Sequence, residues 1–245
     1  MTYQLLHGDC ITEMDHIAAN TIDMVCADLT FGTTSNAWET KIDLTELWKQ
    51  FKRITKPHAA IVLFSAQPFT SQLVMSNLRG YKHKWTWNKR QAGNFAVAKH
   101  MPLTVDEDVL VFTAHGARAN YYPIMRKGKL RMKGGKASLK TGRGFGGLKN
   151  ISYLSDEYYP TSILEFPSVP RTQRLHSAQK PVALLEYLIR TYSVEGDTVL
   201  DCTFGSCSTG VACQNTNRDF IGIELLQEFY DIGVKRMNET KEPTQ

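Results

Sequence analysis

No part of this 245-residue chain is apolar for long. The longest uninterrupted run, Ala59 to Phe64, falls far short of the roughly 20 residues a membrane helix needs. No basic segment followed by an apolar one opens the chain, so a protein that is neither membrane-embedded nor secreted is expected. Cysteine is sparse and odd in number: Cys10, Cys26, Cys202, Cys207 and Cys213 include no Cys-x-x-Cys pair and no histidine at zinc-ligand spacing. They read as reduced thiols of a cytoplasmic protein, with neither a disulfide framework nor a metal site. Acidic residues are missing altogether between Asp108 and Asp156, whereas Arg118, Arg126, Lys127, Lys129, Arg131, Lys133, Lys136, Lys140, Arg143 and Lys149 fall inside that interval. The net charge of +5 therefore comes from one segment, and the rest of the chain carries an excess of acids.

What is present is ordinary globular usage, 42% hydrophobic and 22% charged. It suits one or at most two domains and excludes collagenous, coiled-coil and disordered chains. Short apolar runs alternate with amphipathic ones and there is no internal repeat. The runs at 3–6, 23–27, 59–64, 84–87, 108–112, 198–200 and 220–223 predict strands, and those at 44–54, 71–78, 182–192, 210–215 and 227–237 predict helices. This is the pattern of an α/β fold with a mostly parallel sheet. The glycine-rich basic stretch from Arg126 to Lys149 lacks apolar periodicity and reads as a mobile loop. It is either a solvated loop kept soluble by its lysines or a polyphosphate-binding one, since clustered cations gain free energy by releasing counterions from nucleic acid. Tyr121, Tyr122, Phe95 and His100 are candidates for base contacts. Trp85 and Trp87, at strand spacing, fit the core better.

Two strand ends carry chemistry. Thr198-Val-Leu-Asp201-Cys-Thr-Phe204-Gly205-Ser206-Cys207-Ser208-Thr209-Gly210 is a strand, a small-residue turn and the start of a helix, with Gly205, Cys207 and Gly210 at the spacing of a G-x-G-x-x-G fingerprint. Such a turn lets a ligand approach backbone N–H groups at a helix N-terminus. Glu224, ending the next strand, stands where an acid binds ribose hydroxyls. Taken alone, these residues suit any nucleoside cofactor, NAD included. At the other end of the chain, the strand at 23–27 runs into Asp28-Leu29-Thr30-Phe31-Gly32. A carboxylate and an aromatic face at a strand's C-terminal end suit a flat ring bearing an amino group, and Asp28 and Phe31 should share a crevice with Gly205 and Glu224.

These motifs resemble the DNA amino-methyltransferases. Asp28-Leu-Thr-Phe31 resembles the D-P-P-Y catalytic motif, Gly8-Asp9-Cys10 an early acidic motif, and His176-Ser-Ala-Gln-Lys180-Pro181 the H-P-T-Q-K-P element. Leu200 to Gly210 resembles the D-P-F-x-G-S-G-T-T-G cofactor motif, and Phe220-Ile-Gly-Ile-Glu224 its F-I-G-I-E element. The catalytic motif comes first and the cofactor motif last, the circularly permuted order of the β class.

The resemblance implies a single Rossmann-like domain over 1–245, with helices on both faces of the sheet and a target-recognition insertion at 109–174 containing the 126–149 loop. It implies S-adenosylmethionine as cofactor and double-stranded DNA as partner, a cytoplasmic bacterial or phage-encoded enzyme, and a homodimer as in many relatives. Phe31 would stack on a base flipped from the duplex, and Asp28 and the Leu29 carbonyl would accept its two amino hydrogens. Asp9, Asp201 and Glu224, the turn Phe204 to Gly210, and Lys180 with Pro181 would hold the cofactor. Arg126, Lys127, Lys129, Arg131, Lys133, Lys136, Lys140 and Arg143 would meet phosphates. Adenine is favoured over cytosine, because the cytosine enzymes usually carry Ser where Asp28 stands.

Four residues depart from the pattern: Leu29 and Thr30 replace both prolines, Phe31 the usual Tyr, and Cys207 a glycine. If position 207 requires positive φ, its Cβ costs roughly 1–2 kcal/mol, and its side chain would crowd the cofactor. A DNA-binding relative without activity is the alternative this raises.

Overall fold

The structure, a computed structural model, describes residues 1–29, 42–133 and 153–239. Chain order gives strand β1 (Tyr3–His7), helix α1 (Cys10–Met14), β2 (Ile22–Asp28), α2 (Leu44–Ile54), β3 (Thr55–Ser65), α3 (Phe69–Ser76), β4 (Tyr81–Asn88) and β5 (Asp106–Phe112). Next come β6 (Arg126–Lys133), β7 (Tyr153–Tyr158), β8 (Ile163–Glu165), α4 (Val182–Tyr192), β9 (Thr198–Asp201), α5 (Ser208–Asn215), β10 (Asp219–Glu224) and α6 (Gln227–Glu239). The elements expected from periodicity are present, with ends moved by a few residues.

One unit, Met1–Tyr122 with Ser162–Gln245, carries an eight-stranded sheet in the order β1-β10-β9-β2-β3-β5-β4-β8. Only β5 runs antiparallel to its neighbours. Adjacent residues of the central strands point to opposite faces, and each face has its own core. Met24, Cys26, Val62 and Phe64 pack with Leu184, Leu188 and Ile189 of α4 and Ala212 of α5. Val25, Ala27, Ile61 and Leu63 pack with Leu47, Phe51 and Ile54 of α2 and Leu73 of α3. A strand covered on both faces must be apolar throughout, which explains the unbroken run in β3. Helix α2 begins where the Asp43 carboxylate accepts from the Thr45 and Glu46 N–H groups, replacing partners that a helix start lacks. Trp85 and Trp87 are buried in the core on the α4 and α5 face.

The second unit, Pro123–Thr161, is described by β6 and β7, which pair antiparallel. It is narrower than the expected 109–174 insertion: Val109–Phe112 is the buried second half of β5, and Ile163–Glu165 is an edge strand of the large sheet. Arg126–Lys133 is a strand rather than the expected loop. Its partner supplies what its own sequence lacks. Asp156 and Glu157 lie 3.2 and 3.3 Å from Lys127, and the Tyr158 ring receives Lys133 at 4.0 Å and Arg131 at 5.7 Å. At Gly128 a Cβ would lie 2.8 Å from the Tyr158 ring, so a side chain there would displace the ring from its place over the strand. Lys136, Lys140, Arg143 and Lys149 lie outside the described residues, as do Thr30 and Phe31.

Among the described residues no helix is long and apolar enough to cross a membrane, and no cluster of His, Cys, Asp and Glu is arranged to hold a metal ion.

Candidate active site

From β9 the chain winds outward through β10, and from β2 it winds the other way through β3. The crevice at the C-terminal ends of β9 and β2 is therefore the switch point at which open α/β sheets bind ligands. A cavity of about 600 Å³ lies there, large enough for a nucleoside-sized ligand. Asp9, Asp28, Leu29, Lys180, Asp201, Phe204, Gly205, Ser206, Ser208, Thr209 and Glu224 line it; Pro181, Cys207 and Gly210 do not.

Asp28 is the last residue of β2. Its Oδ2 accepts from Lys180 Nζ at 2.5 Å, and its backbone carbonyl accepts from Thr203 Oγ1 at 2.9 Å. The strand end near the N-terminus is thereby joined to two segments from the last third of the chain. Oδ1 is shielded from solvent and has no hydrogen-bond partner among the described residues, a costly state for a carboxylate oxygen unless a ligand completes it. Lys180 also lies 3.0 Å from Glu107 Oε1 and 5.0 Å from the centre of the Phe64 ring. One ammonium thus serves two carboxylates. Burial raises the Asp28 carboxyl to about 6, with Glu107 pushing the same way and Lys180 opposing. Burial disfavours the Lys180 ammonium, but the two carboxylates outweigh it and hold Lys180 protonated.

The turn after β9 is pinned from within. The Asp201 carboxylate accepts from the Thr203 N–H at 3.1 Å and from Thr209 Oγ1 at 2.6 Å; burial raises this acid to about 7, against the pull of those two bonds. Glu224 accepts from the Gly205 and Leu226 N–H groups, each at 2.9 Å, which fixes its carboxylate at the cavity wall. Asp9 accepts from the Ile11 and Thr12 N–H groups as the N-cap of α1.

Gly205 and Cys207 both have left-handed backbones, at φ 51° and 57°. The condition on which Cys207 would carry a strained Cβ is therefore met, but crowding of the cavity does not follow. The thiol is fully buried in the core beneath the turn, against Gly210, where a Cβ would lie 2.6 Å from its sulfur. Burial pushes this thiol well above its ordinary range, so it stays neutral.

Several contributors were not singled out from sequence. Arg236 of α6 donates to the Ser206 carbonyl at 2.7 Å and to Ser208 Oγ at 2.9 Å, clamping the turn from below. His176 packs edge-on against Phe229 at 4.3 Å, and both line the cavity. Glu107 and Arg236 have no local signal, because each acts through residues distant in sequence. His176 lies in the element His176–Pro181, whose resemblance assigns a role to Lys180 and Pro181 alone.

Residues 22–235 match the DNA methylase family of N6 and N4 methyltransferases. The chain is 25% identical to the type II methyltransferase M.HpaI of Haemophilus parainfluenzae over 97% of its own length and 75% of that protein's. It is 26% identical to the DNA adenine methyltransferase YhdJ of Escherichia coli over 96% of its length and 82% of that protein's. Its fold superposes on the M1.HpyAVI–SAM complex with a TM-score of 0.65 at 21% identity, covering 96% of this chain and 100% of that one. It superposes on the cytosine-N4-specific PvuII DNA methyltransferase with a TM-score of 0.65 at 14% identity, covering 98% and 91%. With the match spanning most of its length and both diagnostic strand ends meeting at one crevice, the chain belongs to the β class of DNA amino-methyltransferases.

Proposed function

We propose that the protein transfers a methyl group from S-adenosylmethionine to the exocyclic amino group of a base extruded from duplex DNA, N6 of adenine by preference. The observation that carries this is the Oδ1 of Asp28, shielded from solvent and without a partner among the described residues, in a cavity lined also by the glycine turn and Glu224. The cavity fits the cofactor: it offers acids at Asp9 and Glu224 for hydroxyls or amines, aromatic walls at Phe204 and Phe229, and hydroxyls at Ser206, Ser208 and Thr209. When bound there, S-adenosylmethionine supplies an electrophilic methyl group and keeps the C–S bonding pair.

The chain's own residues prepare the nucleophile. An exocyclic amino group is a poor one because its lone pair is delocalised into the ring. Asp28 Oδ1 and the Leu29 carbonyl accept its two hydrogens, turn the lone pair out of the ring plane and stabilise the positive charge that develops on nitrogen. Asp28 takes the released proton, which becomes acidic only once the N–C bond has formed. A carboxyl held near 6 stays ionised at neutral pH yet remains a competent acceptor. Phe31 stacks on the base.

Arg126, Lys127, Lys129, Arg131 and Lys133, with Lys136, Lys140 and Arg143, meet DNA phosphates, and the Pro123–Thr161 unit serves target recognition. The permuted motif order, a cytoplasmic location and a homodimer complete the reading; sedimentation tests the last. Cytosine-N4 transfer is the second reading, favoured only by the likeness to PvuII methyltransferase, and Asp28 argues against it.

The test is transfer of labelled methyl groups into unmethylated duplex DNA. Wild type labels the DNA, and Asp28→Ala reduces the rate at least 1,000-fold while keeping cofactor affinity within a few-fold. Modified-base sequencing of DNA from expressing cells identifies base and site. Salt-sensitive DNA binding without cofactor affinity or product would overturn the reading.

A further inference from the structure

The loop from Lys89 to Val105 leaves and rejoins the large sheet between β4 and β5, whose register pairs Asn88 with Asp106. Because β2 and β4 run in the same direction, this loop rises from the edge on which Asp28 ends, about 10–15 Å away by strand spacing. A chain of charges connects it to the site. Lys89 Nζ lies 3.9 Å from Glu107 Oε2, and Glu107 faces Lys180, the partner of Asp28.

The base of the loop is tied down. Lys89 N–H donates to Val105 O and Gly93 N–H to Thr104 O, each at 2.8 Å. The Asn94 side chain accepts from Thr104 N–H at 2.8 Å, and Ser168 braces Lys89 and Gln91. Its crest is a short 3-10 turn, Phe95–Val97, from which Phe95 faces water at 62% exposure, and Met101, beyond the turn, is 51% exposed. Folding gains nothing from a phenylalanine placed there. The loop carries Lys89, Arg90, Lys99 and His100 and no acid. Arg90 faces Glu165 at 3.0 Å and Lys89 faces Glu107, so among the described ion pairs it is Lys99 and His100 that have no acid opposite them. An exposed apolar crest flanked by cations, beside a pocket built for an extruded base, matches the chemistry of an opened duplex: stacked faces bordering a gap, between two anionic backbones.

We propose that the Lys89–Val105 loop enters the duplex during base extrusion, with Phe95 occupying the gap left by the departed base and Lys99 meeting the adjoining phosphates. Phe95 is then a positioning residue: it prevents the base from returning and does not touch the reacting atoms. This rests on the methyltransferase reading above. The occupant is duplex DNA; a second copy of the chain, seated on the same crest, is the rival outcome of the test.

Phe95→Ala and Phe95→Leu are compared with wild type in the full-length protein. Because the side chain is exposed, thermal midpoints should agree within about 2 °C. Methyl transfer into unmethylated duplex phage DNA should fall at least tenfold in Phe95→Ala and less than threefold in Phe95→Leu. Fluorescence anisotropy supplies a readout independent of turnover. Wild type should bind a 30-base-pair duplex with a central abasic site several-fold more tightly than the intact duplex, and Phe95→Ala should lose that preference while retaining its affinity for the intact one. If wild type transfers no methyl group, the functional reading fails and the abasic preference alone decides the role of the loop. Equal abasic preference in wild type and Phe95→Ala overturns the proposal, as does a variant whose only change is a shift from dimer to monomer in sedimentation.

Discussion

Lys180 Nζ lies 2.5 Å from Asp28 Oδ2 although 152 residues separate them in the chain, and Glu107 holds the same ammonium from the other side. The two neighbours of Asp28 act on it with opposite sign: Lys180 favours the carboxylate and Glu107 disfavours it. The role proposed for Asp28 requires its carboxylate form, so the acid limb of the wild-type rate profile should fall near pH 6. Lys180→Met should move that limb up by a pH unit or more, and Glu107→Gln should move it down. General loosening of the site would lower the plateau in both variants without separating the limbs, so rate measurements from pH 5 to 9 distinguish the two causes. Stability gives a second readout. A carboxyl raised from 3.8 to about 6 contributes stability that is complete below about pH 4 and lost as pH rises through 6. Lys180→Met should steepen that loss in thermal melts.

Cys207 lies under the glycine turn rather than in its mouth, so its replacement should be felt by the fold and not by the cofactor. Cys207→Gly relieves a left-handed Cβ worth about 1 kcal/mol and forfeits a buried thiol of similar worth, about 1 kcal/mol by area. The melting temperature should change by only a few degrees, and S-adenosylmethionine affinity in calorimetry should stay within threefold. Cys207→Val places a β-branched side chain at φ 57° in the buried cluster that also holds Phe204, Phe220 and Met237, and should cost at least about 2 kcal/mol. A large gain in cofactor affinity from Cys207→Gly would show that the thiol does obstruct the pocket.

The large sheet was legible because its strands are buried on both faces, which writes an unbroken apolar run into β3 and β5. Helices α2 and α4 were legible to the residue, since one buried stripe and a clear first residue mark each. Asp28, Gly205 and Glu224 could be placed together because each ends or follows a strand that must be parallel. Glu107 could not, because it opens an antiparallel strand and reaches the site only through Lys180. Strand β6 was invisible for a related reason. Nothing in Arg126–Lys133 alternates for burial, and what orders it is Tyr158, Asp156 and Glu157, more than twenty residues further on. Position 207 shows the limit of motif reading: sequence could raise the backbone sign only as a condition, and only packing reveals which way the side chain turns.

The same strand yields a graded expectation for DNA binding. Each lysine or arginine that neutralises a phosphate contributes about 0.9 to the slope of log affinity against log salt for duplex DNA. Lys127 already faces Asp156 and Glu157, so releasing it to DNA exposes two acids in exchange. Lys133 and Arg131 rest on the Tyr158 ring, which leaves their charges unneutralised, and no acid faces Lys129 among the described ion pairs. Lys129→Ala and Arg131→Ala should each flatten the salt dependence by nearly one unit and weaken binding at 150 mM salt several-fold. Lys127→Ala should change the slope by much less. Anisotropy titrations of one duplex at four salt concentrations measure this directly. Equal slopes for all three variants would mean that β6 does not lie on the phosphates, leaving the backbone contacts to the cations between 136 and 149 and to the Lys89–Val105 loop.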